Sequence, residues 1–293
     1  MNKFLSLDSQ IFRHKWFWLL VLTVALATIY LALLWRANDT AHLGMSILFF
    51  VAVYMVMEEQ RSHLNLTIFN SDLISQIVGG LIIIWTLFNL PLSPEKDVFN
   101  TVLRLSPFLF GLGICLIASG YSLLKQYWQS LLILFFLGGP SVLAYWVKFN
   151  PSPLTAQFAG AVLRNFNLEA EVSGIFILLN DTHMIEVYQG CSGLEAMTYL
   201  LGISVIMLIL FPVQKFYRII TPFLAIIIGF ITNGLRVVAM SLLVQADQIA
   251  SFKYWHEGEG SLIIGMIAIG IFLFYYFLLI KFTDIKAVNQ SSG

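Results

Sequence analysis

Residues 217–244 read YRIITPFLAIIIGFITNGLRVVAMSLLV. A hydrocarbon core of ~30 Å is crossed by about 20 apolar residues at ~1.5 Å rise each, and this run is longer than that. Between Ile226 and Val244 its apolar character is broken by Thr232, Asn233 and Arg236. The stretch reads as a membrane-spanning helix that carries a cation inside it, and the rest of the chain is read outward from it.

The composition agrees. The 293 residues are 59% apolar and 11% charged, with a mean hydropathy of +0.84, where soluble domains average ~45–50% apolar and ~25% charged. So few charges cannot cover the surface of a soluble fold, which excludes a soluble enzyme, a disordered chain and a nucleic-acid binder. Sixteen Lys and Arg balance sixteen Asp and Glu, so no overall field draws the chain to polyanions. Seven further apolar runs of span length or near it lie at 16–35, 43–57, 73–90, 103–124, 130–147, 193–211 and 261–281. The expected fold is an all-α polytopic membrane protein with about eight transmembrane helices, forming a single integral membrane domain over 1–293. The first run follows Arg13, His14 and Lys15 but exceeds the ~7–15-residue apolar core of a signal peptide, so it reads as a retained helix. The second run is short, with ends at His42 and Glu58.

An even span count puts both termini on one side, and the Lys/Arg bias selects the cytoplasm. With the N-terminus inside, nine basic residues fall on the inner side and six on the outer, with Arg236 within a span. The outer side then carries ten acidic residues and the inner side five. The expected location is the plasma membrane, with both termini cytoplasmic and the long loops at 148–190 and 245–260 outside.

The loop at 148–190 has structure of its own. Ser152-Pro153 reads as an N-cap followed by Pro at the first helical position, and Leu154, Phe158, Ala161 and Val162 repeat at helical spacing, so a short helix on the membrane face is expected. Gly174–Leu179 and Met184–Tyr188 flank the turn-prone Asn180-Asp181, which predicts a β-hairpin. The helix and hairpin together form an extracytoplasmic lid that delivers the chain to Gly190-Cys191.

Ionisable groups inside a span are costly, by ~2.5–3.5 kcal/mol on insertion scales, and are functional candidates by default. Arg236 is the clearest, with Asn233 three residues earlier on its face. It reads either as a structural cation, paired or reaching outward, or as a functional group. Glu195 lies four residues after Cys191, one turn deeper on the same helical face, and is the expected counter-ion of Arg236 unless it is simply an interfacial carboxylate. Cys191 lies in Gln189-Gly190-Cys191-Ser192-Gly193-Leu194, where a loop enters a helix. Free N–H groups and the positive dipole end there can lower a thiol pKa and stabilise a developing oxyanion. Cys115, in mid-span, reads as an inert core thiol. His256, in Lys253-Tyr254-Trp255-His256-Glu257, is a member of an aromatic belt or an acid/base group. His14, His42 and His63 lie near span ends with no polar constellation, and His183 lies in the hairpin. Cys191, Arg236 and His256 map to the same outer level, where they make a nucleophile, an oxyanion stabiliser and an acid/base.

The order Cys191-Ser192-Gly193-Leu194, Asn233-Gly234-Leu235-Arg236, then His256 with Gly260 after it resembles the exosortase/archaeosortase family. The motifs cover residues from about 185 to 265. The resemblance implies a membrane-embedded cysteine transpeptidase or protease, similar to sortases in using Cys, Arg and His on an unrelated fold. It implies catalytic Cys191, Arg236 and His256, supported by Asn233, Ser192 and Gly193; Glu195, a supporting residue by its spacing alone, stands where the family often has a basic or small residue. Its partners would be exported proteins with a C-terminal sorting tail, made of a Pro-Glu-Pro-like signal, a transmembrane helix and a basic cluster. The lipid bilayer surrounds it, a cell-surface glycan or lipid would serve as acceptor, and nucleic acid is no partner. No metal-ligand set or nucleotide loop is visible, so no cofactor is expected. Two other classes stay open. One is a transporter or channel using Arg236 and Glu195. The other is a transferase acting on a polyisoprenyl-linked glycan or lipid, a class that usually shows an acidic metal-binding pair; Glu257 and Glu259, at i, i+2, suit neither a single helix face nor a complete ligand set.

Overall fold

The computed structural model describes residues 15–60, 71–92, 99–166, 168–180, 183–256 and 260–291. All eight runs fold as helices: α1 (Lys15–Arg36), α2 (Thr40–Gln60), α3 (Leu73–Asn89), α4 (Thr101–Ser119), α5 (Trp128–Trp146), α7 (Leu194–Leu210), α8 (Lys215–Gln245) and α10 (Gly260–Ser291). Between them lie α6 (Ser152–Arg164), α9 (Ile249–His256) and three short strands, β1 (Ala170–Ser173), β2 (Phe176–Leu179) and β3 (His183–Glu186). Among the described residues, six helices are long and apolar enough to cross a membrane, and α3 and α7 are apolar helices of 17 residues. Large apolar side chains such as Trp35, Ile74, Phe88, Phe223 and Phe274 are exposed, as expected of surfaces solvated by lipid. The chain is an all-α polytopic membrane protein.

Within the domain expected over 1–293, the chain forms two compact units that divide after Val142. In the first unit, Asp39 explains why α2 is longer than its apolar run. Its Oδ1 accepts from the His42 amide at 3.1 Å, capping the helix three residues before His42. Its Oδ2 takes the Arg104 guanidinium at 2.8 Å, with both side chains largely buried. Next to that pair, the Tyr30 hydroxyl lies 2.9 Å from both His42 Nε2 and Ser46 Oγ, and all three side chains are fully buried. His42 therefore does stand in a polar constellation, contrary to the expectation from sequence. The turn at Asn38, with φ 57°, folds α2 back on α1 and brings Tyr30 to His42 across twelve residues.

The second unit begins at Leu143. Helix α6 starts one residue differently from expectation. Pro151 holds the cap position and Asn150 Oδ1 accepts the Ser152 amide at 3.0 Å, so Ser152 is already helical. The face that α6 buries is also not the expected one. Thr155, Ala156, Ala159, Gly160 and Leu163 point inward, while Leu154 and Ala161 are exposed. Small residues let backbones approach closely, and α6 packs on α8 through Phe158, whose ring meets Phe230 at 5.7 Å. The predicted hairpin is β2–β3, and it gains β1, so the sheet is three-stranded and antiparallel in the order β1-β2-β3. Ala170 pairs with Leu179, and Phe176 with Glu186. The four residues of β1 were too few to read as a strand. Asp181 lies outside the described residues.

Helices α7 and α8 form the spine of this unit. Gly229 makes their close approach possible, because a Cβ there would fall 2.9 Å from the Met197 backbone. Tyr276 of α10 donates to the Phe211 carbonyl at 2.6 Å, satisfying an orphan acceptor at the end of α7. The core beneath the sheet runs from Ala159, Leu163 and Ile177 to Val187, Val237 and Cys191.

Candidate active site

Cys191 closes a single 3-10 turn over Gln189–Cys191. Its amide donates to the Tyr188 carbonyl at 2.9 Å, and the Ser192 amide donates to Gln189 O at 3.2 Å. The Ser192 hydroxyl donates to the Gln189 carbonyl at 2.6 Å and accepts from the Leu194 amide at 3.3 Å. Thr155 of α6 donates to the Ser192 carbonyl at 2.7 Å. Ser192 is fully buried, so its place is in the frame of the turn.

Gly193 then adopts φ 86° before α7 begins. That left-handed conformation is costly for any residue with a Cβ, and a Cβ here would lie 2.8 Å from Asn233 Nδ2. The kink has a consequence for Glu195. Cys191 is not on the helix, so the two do not share a helical face as the spacing suggested. Cys191 is buried, and Glu195 is exposed, accepting from the Tyr199 hydroxyl at 2.7 Å.

Arg236, on α8, takes acceptors other than the expected one. Its Nη2 donates to the His256 carbonyl at 2.8 Å and its Nε to the Trp255 carbonyl at 3.3 Å. These carbonyls end α9, where a cation complements both the orphan acceptors and the helix dipole. The expected Glu195–Arg236 ion pair is thus replaced by backbone acceptors for Arg236 and a phenol for Glu195. Asn233, expected on the face of Arg236 as a supporting residue, directs its buried amide at the Cys191 carbonyl, 2.8 Å away. One face of α8 therefore holds the Cys191 main chain through Asn233 and the His256 main chain through Arg236.

The result is a thiol–imidazole contact: Cys191 Sγ lies 3.4 Å from His256 Nε2. That spacing suits a thiol donating to a ring nitrogen. Phe252 stacks on the imidazole at 5.0 Å and 14°, and Tyr188 packs against it at 5.7 Å. Burial pushes the Cys191 thiol above its usual pKa, opposed by the nearby Arg236 charge and by a hydrogen bond from the Tyr188 side chain. A protonated thiol beside an imidazole base, with a guanidinium close enough to favour negative charge, can add to a carbonyl once the proton moves to nitrogen.

Three residues of this site were not expected. Tyr188 reaches the thiol, Phe252 stacks on the ring, and Thr155 ties α6 to the turn that carries Cys191. Tyr188 and Thr155 lie in the helix and hairpin that were read as a lid, and Phe252 lies one turn before His256, so their positions were visible although their contacts were not. Cys115 and Cys191 are both free thiols. Glu257 and Glu259 lie outside the described residues. Among the described residues, no cluster of three His, Cys, Asp or Glu is placed to hold a metal ion.

The fold and site define a polytopic membrane protein with a cysteine, a histidine and an arginine gathered at the head of one apolar helix. The family model described as Transmembrane exosortase (Exosortase_EpsH) matches residues 35–273, most of the chain, and the protein belongs to that family. Searches among curated proteins and among solved structures return no match.

Proposed function

We propose that the protein is a membrane-embedded cysteine transpeptidase or peptidase, with Cys191 as nucleophile, His256 as general base and then general acid, and Arg236 as both anchor and electrostatic stabiliser. The observation that carries this reading is the 3.4 Å contact between Cys191 Sγ and His256 Nε2, held from α8 by Arg236 at the His256 carbonyl. His256 Nε2 takes the thiol proton as sulfur attacks the scissile carbonyl. A tetrahedral oxyanion forms beside the guanidinium, which has N–H groups beyond the two engaged by Trp255 and His256. Collapse expels the amine, which receives the proton from His256, and leaves a thioester on Cys191. Water or an acceptor amine or hydroxyl then releases the acyl group by the same steps in reverse.

The substrates are exported proteins with a C-terminal sorting tail of Pro-Glu-Pro type, and a cell-surface glycan or lipid serves as acceptor. The chain lies in the plasma membrane with both termini cytoplasmic, and the site faces the extracytoplasmic side. That orientation places basic residues inside and puts the acidic excess outside, in keeping with the positive-inside rule. A proton or solute relay through an Arg236–Glu195 pair lacks the pairing it would need, because the two side chains take other partners.

The test is processing of an exported reporter carrying such a tail. Wild type cleaves it, Cys191→Ala inserts normally and leaves it intact, and Cys115→Ala behaves as wild type. Wild-type processing by Cys191→Ala sinks the assignment.

A further inference from the structure

The sheet has two edges, and they differ. In an antiparallel ladder, residues whose N–H and C=O face the neighbour alternate with residues that face away. The Val187 amide donates to the Ile175 carbonyl at 2.9 Å, which continues the β2–β3 register outward. Ile185 and His183 therefore exchange their bonds with β2, and Met184 and Glu186 turn their backbone groups to the open edge. The same alternation at β1 leaves Ala170 and Val172 facing outward. That edge is closed, since Arg164 of α6 donates to the Ala170 carbonyl at 3.0 Å. Among the described residues, nothing donates to or accepts from the outward backbone groups of Met184 and Glu186.

An open edge strand is a template for another chain, and proteins that do not use one usually block it. Here the open edge runs directly into the nucleophile. Glu186 is five residues before Cys191, a reach of at most ~17 Å, which an extended peptide of about five residues also covers. Met184 is 69% exposed and Glu186 is exposed, while Ile185 packs into the core below. The strand is thus anchored on its inner face and exposed on its outer face, with the outward backbone groups of its edge unbonded among the described residues.

We propose that the open edge of β3 is where an extended segment of the polypeptide substrate adds as a fourth strand, bonded to the backbone of Met184 and Glu186 and delivered in register to Cys191. This rests on the peptide-bond chemistry proposed above. Backbone bonding supplies affinity without demanding a particular side chain at each position, and specificity comes from alternate side chains on the two faces.

The experiment uses full-length protein in lipid nanodiscs and the tailed reporter. Glu186→Pro deletes the outward N–H and leaves the bonds to β2, which Pro on an edge strand tolerates. Glu186→Ala keeps that N–H and removes only the carboxylate. The expected result is a KM raised about tenfold in Glu186→Pro with kcat within about twofold, and near-wild-type values in Glu186→Ala. Equal KM values in the two variants overturn the proposal. A second measurement does not depend on proline: Met184→Cys, in a Cys191→Ala and Cys115→Ala background, is oxidised against reporters with single cysteines scanned along the segment. Cross-linking at every second reporter position is expected of a paired strand. Cross-linking without that period, or between two copies of the enzyme in preference to the reporter, overturns the proposal. If Cys191→Ala itself processes the reporter, the chemistry fails and not the docking strand.

Discussion

Arg236 Nη2 donates to the carbonyl of His256 at 2.8 Å, so the intramembrane cation of α8 holds the main chain of the residue whose ring touches the Cys191 thiol. This relationship separates a positioning role from an electrostatic one. Lysine keeps the charge and loses the planar fork that serves two carbonyls at once. Arg236→Lys is expected to lower processing by at least about tenfold while leaving the alkaline limb of Cys191 alkylation in place. Arg236→Gln is expected to lower processing and also to move that limb to higher pH, because the charge that opposes burial is gone. Identical alkylation profiles for Arg236→Gln and wild type contradict the proximity of guanidinium and thiol.

The Cys191 thiol is held above its ordinary pKa by burial, so the resting enzyme carries a thiol at neutral pH. Iodoacetamide labelling of Cys191 is expected to rise through a range above the ~8.5 of a free thiol. The folded state keeps this proton more tightly than the unfolded chain does. The associated stability is therefore complete below the unfolded pKa and is lost as pH climbs from that value toward the raised folded one. Thermal unfolding in detergent across this window is expected to fall more steeply for wild type than for Cys191→Ala. A labelling limb below the free-thiol value contradicts a protonated resting thiol.

Asn233 fixes the Cys191 carbonyl at 2.8 Å and has no assigned contact with the substrate. Asn233→Leu is expected to lower kcat by about 100-fold with little change in KM, the pattern of a misplaced nucleophile. A raised KM at constant kcat points to substrate binding by Asn233.

Gly193→Ala adds left-handed strain of ~1–2 kcal/mol and a methyl against the Asn233 amide. Processing is expected to fall with it. Gly174 also has positive φ, 63°, but open space around it, so Gly174→Ala is expected to lower the unfolding temperature by strain alone and to leave the rate per folded molecule unchanged. Equal activity in the two variants contradicts the Gly193–Asn233 packing.

In the first unit, Asp39 both caps α2 and pairs with Arg104. Asp39→Ala is expected to destabilise the protein by about 3 kcal/mol, because it leaves a largely buried guanidinium without this carboxylate. The detergent unfolding temperature reads this directly, and an unchanged value contradicts a structural role for the pair.

The helices were legible because lipid imposes one rule on them: about 20 apolar residues per crossing, with backbone bonds closed within the segment. The residues at the site were legible as types, since a thiol, an imidazole and a guanidinium are rare in so apolar a chain. Their partners were not. Spacing put Glu195 under Cys191, but the φ of Gly193 broke the helix between them, and periodicity cannot see a dihedral. Sequence also offered Arg236 a carboxylate, whereas the chain gave it the carbonyls at the end of α9, and backbone acceptors leave no mark in a sequence. The Tyr30–His42 contact was hidden for a related reason, since it depends on how sharply the chain turns at Asn38.

The central claim is that Cys191 forms a thioester with the substrate. The most direct measurement is mass spectrometry of the enzyme quenched in acid during turnover of the tailed reporter. The account predicts an acyl adduct on the peptide containing Cys191, its mass matching the reporter fragment before the scissile bond, and absent from Cys191→Ala. Processing at the wild-type rate with no adduct on Cys191, or with the adduct on Cys115, would contradict it.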